Sequence, residues 1–169
     1  IDACVSGAMG LSVVDSLRSA DLMSEALGRA IEHGDGRRLA VCTIWQAAFA
    51  ANEGGPGETR TRALLARGTT IGERHGGAYE RGCVRAASAL TEFHLGNFQK
   101  ALEHTLVGER IFLDETRGTR KESATMQIFS LASQAMLGEV ASLSRRVELL
   151  ERDATARGDR YATTNVRQG

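Results

Sequence analysis

Glycine punctuates this chain at a nearly constant interval, and that interval leaves few folds open to it. Gly55, Gly96 and Gly138 each separate two long helix-patterned stretches. Gly34, Gly76, Gly118 and Gly158 each close such a pair, so residues 37–77, 78–118 and 119–159 repeat one grammar at a period of about 41. Each span reads as a long helix, a glycine-marked turn, a second long helix and a glycine-marked stop. A fixed period in this range marks a helical repeat array. A single pair cannot bury its own apolar face; stacked neighbours can, and the stability of such an array is close to a sum over adjacent units.

The helices are predicted over Asp21–His33, Arg37–Asn52, Glu58–His75, Tyr79–His94, Phe98–Glu115, Arg120–Met136 and Val140–Arg157. Residues 1–15 read as the end of an earlier first helix, and Arg160–Arg167 as the beginning of a later one. Within Asp21–His33, Leu22, Leu27, Ala30 and Ile31 fall roughly on one face at helical spacing. Pro56 is the only proline, which suits long uninterrupted helices. No strand-length run alternates with period 2. The predicted fold is all-α: a right-handed α-solenoid of antiparallel helix pairs, with about seven full helices and two partial ones in a single domain spanning 1–169. Both ends read as cut, because a solenoid needs caps or neighbours over its end faces. The sequence therefore predicts a piece of a longer polypeptide, with partial repeats at either end.

Composition narrows the function classes. Lys plus Arg and Asp plus Glu both number 21, so the net charge is zero. General polyanion binders usually carry a basic excess, which argues against a nucleic-acid partner. All the basic residues except Lys100 and Lys121 are Arg. That bias reads as GC-rich coding, and hence a bacterial source. The longest apolar run, Ile44–Ala51, is too short to span a bilayer and contains Gln46, so no membrane partner is predicted. Cys4, Cys42 and Cys83 are odd in number and include no CxxC, which argues against a disulfide framework or a cysteine metal site and fits a reducing, cytoplasmic compartment. Cys42 and Cys83 lie one repeat apart and are expected at equivalent places on neighbouring first helices, as small fillers at close contacts.

Leu95-Gly96-Asn97-Phe98-Gln99-Lys100-Ala101-Leu102 resembles the turn of a tetratricopeptide repeat: glycine, a polar residue, an aromatic, two spacers, then alanine. Glycine suits the left-handed end of the first helix, the aromatic fills the wedge between helices, and alanine lets them cross closely. Gly138–Leu143 keeps the spacing but has Val140 for the aromatic and Ser142 after Ala141; the turn at Gly55 is longer, with Ala63-Leu64 as its counterpart. The period exceeds the 34 residues of the standard motif, which implies longer helices. The end segments, Gly10–Asp21 and Arg157–Arg167, resemble parts of large bacterial signalling proteins in which a serine/threonine kinase domain and a predicted ATPase module precede a tetratricopeptide-like tail. That resemblance implies a regulatory or protein-contact role for the tail. It carries over no catalytic residue, because the kinase glycine-rich loop, HRD and DFG motifs are absent here.

Local motifs give no chemistry. Asn52–Thr59 faintly resembles a phosphate loop but lacks the Gly-Lys-Ser/Thr ending, and reads as an interhelical turn. His33, His75, His94 and His104 form no HExxH; His33 and His75 each precede a glycine and read as complements to a helix C-terminus. No Gly-x-Ser-x-Gly elbow is present, and Glu151 and Asp153, two apart, do not face each other. No catalytic residue, metal or cofactor is predicted for this segment.

Two sets of residues stand out as interaction candidates. Arg37, Arg38, Arg81, Arg120, Lys121 and Arg160 recur near the starts of the first helices, where positive charge opposes the helix dipole. Stacked in register they form a rim suited to an acidic peptide or phosphate; the alternative is pairing with Asp35, Glu80, Glu122 and Asp159. Trp45, Arg85, Glu92, Gln127 and Gln134 are the candidates for a concave face, which first helices line in tetratricopeptide arrays, while Trp45 and Phe49, on one helix face, read first as core. The expected function is a protein-interaction or regulatory segment of a multidomain signalling protein, docking a peptide or another domain of the same chain. The alternative is a small-molecule sensor, as in the inducer-binding solenoids of ATPase-type transcription regulators. A buried polar pocket beside Trp45 or Arg85 would favour the sensor; an open groove with a charged rim would favour docking.

Overall fold

A computed structural model describes residues 1–12 and 14–168 of the chain. Val13, which falls within the 1–15 helix and the Gly10–Asp21 segment read from the sequence, lies outside the described residues. Among the described residues there are nine α-helices and no strand: α1 (Asp2–Leu11), α2 (Ser16–His33), α3 (Gly36–Ala50), α4 (Glu58–His75), α5 (Ala78–His94), α6 (Phe98–Arg110), α7 (Arg120–Met136), α8 (Val140–Ala156) and α9 (Arg160–Gln168). Two short 3₁₀ turns, Ala51–Glu53 and Gly55–Gly57, join α3 to α4, and α6 runs into a π-turn at Ile111–Glu115.

Side-chain caps start several helices. Asp15 accepts the Arg18 N–H at 3.1 Å, Asp35 that of Arg38 at 3.0 Å, and Asp159 that of Ala162 at 3.0 Å, each satisfying a first-turn donor that has no partner within the helix. Helix α2 consequently begins five residues before the start read from the sequence. Gly34 closes it in the left-handed conformation, φ 67°, with its N–H directed at the Ala30 and Ile31 carbonyls. Gly76 departs from this pattern: its backbone is extended, and a Cβ there would come within 2.7 Å of the Glu80 side chain. Gly54, rather than Gly55, takes the left-handed position in the α3–α4 turn.

Each helix packs against the next, and α3 against α5, α5 against α7 and α7 against α9. Helix α3 is buried on almost every side: from Ala40 to Ala50 only Gln46 and Phe49 are partly exposed. Its alanines and Cys42 let neighbours close in. At Gly68 of α4 a Cβ would lie 2.7 Å from Ile44 Cγ1 and 3.0 Å from the Ile44 backbone nitrogen, so the two helices touch through main chain. The shared core joins Ala8, Met23, Ile44, Trp45, Phe112 and Met126, and so runs from α1 to α7. Helix α8 is loosely packed, with Ala154 its sole fully buried residue.

All three cysteines are free. Cys42 and Cys83 are buried on α3 and α5, and burial pushes the Cys42 thiol up to about 11 and the Cys83 thiol upward as well. Because the thiolate is the reactive species, native chain at neutral pH is expected to take one iodoacetamide adduct, at half-exposed Cys4, with the other two sites labelled only on unfolding. Intact-mass and peptide mapping check this; rapid native labelling of Cys83 would contradict the packing.

Candidate functional site

The first helices α3, α5 and α7 begin side by side, tied by their own first-turn side chains. Arg37 donates through Nε to Glu80 Oε1 at 2.5 Å, joining α3 to α5, and the Tyr79 hydroxyl donates to Glu122 Oε1 at 3.2 Å, joining α5 to α7. Two adjoining clefts open along this row. One, of about 430 Å³, lies between α1 and the starts of α3 and α5; the other, of about 520 Å³, lies between α5 and the turn that enters α7. Arg37 and Tyr79 line both. Val5, Val41 and Cys42 give the first cleft an apolar side, while Asp2, Arg38 and Glu80 supply charge.

The row is charged but not of one sign. Arg38 grips Asp2 with two donors at 2.7 Å each and Asp35 with a third at 2.6 Å. Arg81 donates to Glu115 at 2.6 Å. Those contacts hold the Asp2 and Asp35 carboxyls below the usual range: for Asp2 the side-chain bond from Arg38 leads, and for Asp35 the Arg38 backbone N–H does. Lys121 of α7 donates to the Met9 carbonyl of α1. Burial there lowers its ammonium from the ordinary lysine value. Arg120 and Arg160 are exposed.

Of the six rim residues read from the sequence, Arg37, Arg38 and Arg81 are thus held by carboxylates and Lys121 by a backbone carbonyl. The pairing alternative describes Arg37 and Arg38 directly, with Glu80 and Asp35 as partners.

The residues read as a concave face lie elsewhere. Trp45, Glu92, Gln127 and Gln134 are buried. Glu92 accepts from Arg62 of α4 at 2.9 Å and from Asn97 at 2.7 Å; Gln127 donates to Glu109 of α6 at 2.9 Å; Gln134 donates to Ser142 of α8 at 3.3 Å. Arg85 is exposed, 3.3 Å from His104 of α6. Glu92, Gln127 and Gln134 thus bond to groups of the neighbouring second helices and turn, as buried polar groups generally must, while Trp45 Nε1 and Gln134 Oε1 are buried without a partner. Neither Trp45 nor Arg85 lines the two clefts.

Tyr79 and Asp2 are the site residues that sequence reasoning passed over. Tyr79 sits 41 residues after Arg38 and 41 before Arg120, the register at which the rim was read, so its place was available from the repeat. Asp2 was not, because it lies 36 positions from Arg38, off that register, and no local pattern pairs the two. Among the described residues no three His, Cys, Asp or Glu side chains gather as a metal site, and no helix is long and apolar enough to cross a membrane. Comparison with protein-family models, with curated proteins and with solved structures finds no match to this chain.

Proposed function

We propose that this chain is a protein-interaction segment: a right-handed solenoid of antiparallel helix pairs that docks a polypeptide across the starts of its first helices. The observation that carries this reading is the pair of adjoining clefts sharing Arg37 and Tyr79, open to solvent, partly apolar and edged with both signs of charge. Mixed charge around an apolar strip suits a helix or peptide with its own polar edges better than a polyanion, because matched rim charges set register and orientation. Packing of each first helix on the next first helix supports the solenoid. The wider reading, a regulatory tail of a serine/threonine kinase, rests on the end-segment resemblance alone.

Selection of a displayed helical-peptide library on immobilised chain tests the reading. Enriched peptides, titrated into isotope-labelled chain, are expected to shift amide signals around Arg38, Tyr79 and Lys121. No enrichment, combined with thermal stabilisation by members of a metabolite panel, would overturn docking in favour of the sensor.

A further inference from the structure

We propose that the outer groove between the second helices α2 and α4 docks an amphipathic helix whose acidic edge is read by a column of three arginines, Arg60, Arg67 and Arg74. None of the three lines either cleft, so this surface is separate from the one at the starts of the first helices.

Spacing builds the column. Arg60, Arg67 and Arg74 are all exposed and follow one another on α4 at seven-residue intervals, two turns or about 10 Å of rise each. Arg62 bonds Glu92 of α5 at 2.9 Å and marks the side of α4 toward α5. Residues two apart on a helix do not share a face, so Arg60 and its column look the other way, toward α2. Exposed Ala63 and Thr70 beside the arginines keep the helix surface low. On α2, Ser24 accepts from Gln46 of α3 at 3.4 Å, which marks the side of α2 toward α3. Leu17 and Ile31, seven residues to either side of Ser24, share that side, and they are 84 % and 60 % exposed. Helix α3 packs on both α2 and α4 and lies beneath the groove.

The charges select the occupant. Arg60 has one carboxylate partner, Glu53 at 3.2 Å; among the described residues Arg67 and Arg74 have none. Asp21 and Glu32, exposed on α2, are equally without an ion-pair partner there, while Glu25 is held by Arg29 at 2.6 Å. Opposite charges thus stand on the two helices, yet among the described residues no ion pair crosses from α2 to α4. Such pairs do bridge elements elsewhere, as Arg62–Glu92 and Arg81–Glu115 show. A helix with apolar residues over Leu17 and Ile31, and with acids every seven residues along its α4 side, completes what the column leaves open. Complementary charge of this kind fixes direction and register, and a helix laid in a groove through anchors at helical spacing is a recurrent form of recognition.

Selection of a displayed amphipathic-helix library on the full chain, with counter-selection on an Arg67→Glu, Arg74→Glu chain, tests the proposal. Both positions are exposed, so the variant should keep the parent's Tm, which calorimetry checks. Peptides retained by the parent alone should carry Asp or Glu at seven-residue spacing on one edge. Titrated into isotope-labelled parent, they should shift the amides of Gly28, Ala63 and Thr70 and leave those of Arg38, Tyr79 and Lys121 in place. They should bind the variant roughly tenfold or more weakly, and changing their acids to Lys should restore binding to it. Arg67→Gln with Arg74→Gln should weaken binding in the same direction, and it decides the matter if the charge reversal lowers Tm. The proposal is overturned if no peptide distinguishes parent from variant, or if those that do shift nothing in α2 and α4. Peptides that shift only the starts of the first helices overturn it while supporting docking at the clefts, so the two readings fail separately.

Discussion

Gly82→Ala is expected to destabilise the chain by roughly 2–3 kcal/mol, the upper part of the range for forcing extra volume into a packed core. Gly82 lies in α5, fully inside, and a Cβ added there would sit 2.4 Å from Phe112 Cε1, 2.7 Å from Cζ and 2.9 Å from Cδ1. No pair of carbon atoms tolerates those separations, so the ring or the helix must move. The ring has little freedom. It is 2 % exposed and lies 6.2 Å from the Tyr79 ring, tilted 58°. Its own backbone is pinned, because the Phe112 carbonyl accepts from Thr116 at 2.7 Å and from Thr119 at 2.9 Å. Alanine is intrinsically a better helix former than glycine by about 1 kcal/mol, and that gain is already set against the clash in the range above. For a domain of this size the net loss lowers Tm by roughly 4–12 °C. Gly28→Ala is the matched control: it is an exposed helical glycine with nothing within 4 Å of its would-be Cβ. That substitution should raise stability by about 0.5–1 kcal/mol. Calorimetry on both variants gives the two signs; a Gly82→Ala protein as stable as its parent would mean that α5 and the π-turn are not packed as described.

The contrast between those glycines shows what was legible in the sequence. Helix existence was, because punctuation is local. Helices α4 and α7 run between the residues at which the pattern places them, Glu58–His75 and Arg120–Met136. Helix bounds were less so. Helix α2 was read from Asp21, but its cap is Asp15, six residues earlier. The sixth helix was read through to Glu115, but it loosens into a π-turn from Ile111, held by threonine bonds to a carbonyl that no periodicity reveals. Orientation was harder still. A first helix buried against neighbours on several sides, as α3 is, has no strong amphipathic direction. Polar residues such as Glu92 and Gln127 could therefore be assigned to a groove when they face second helices. The Lys121–Met9 contact joins positions 112 apart, and no local pattern encodes that closure.

Glu80→Ala is expected to cost roughly 2–3 kcal/mol, because it removes one carboxylate that serves two partners. The side chain is 1 % exposed. One oxygen accepts from Arg37 Nε at 2.5 Å, and the other accepts from the Gly77 N–H at 2.6 Å, capping α5. Truncation strands a backbone donor at a helix start and unpairs the guanidinium. Arg37 is largely solvent-exposed and can rehydrate, so the cost falls below that of breaking a pair buried on both sides. Gly76, extended and pressed on the Glu80 stem, would lose its packing partner as well. Glu80→Gln keeps the shape and one acceptor and should cost less, about 1–2 kcal/mol. It also isolates the charge. Burial pushes the Glu80 carboxyl up, but the Arg37 bond and the Gly77 N–H pull it further down, leaving it below the ordinary 4.5. A folded-state value below the unfolded one means stability that is fully present above about 4.5 and lost as pH falls through the lower, folded value. The parent should therefore exceed Glu80→Gln in urea resistance at pH 7, and the gap should narrow as the pH is taken below 4.5. Denaturation midpoints for both chains across that window decide it. A gap that stays constant into acid would show that the carboxylate's charge contributes nothing and that the shape of the side chain alone holds the starts of α3 and α5 together.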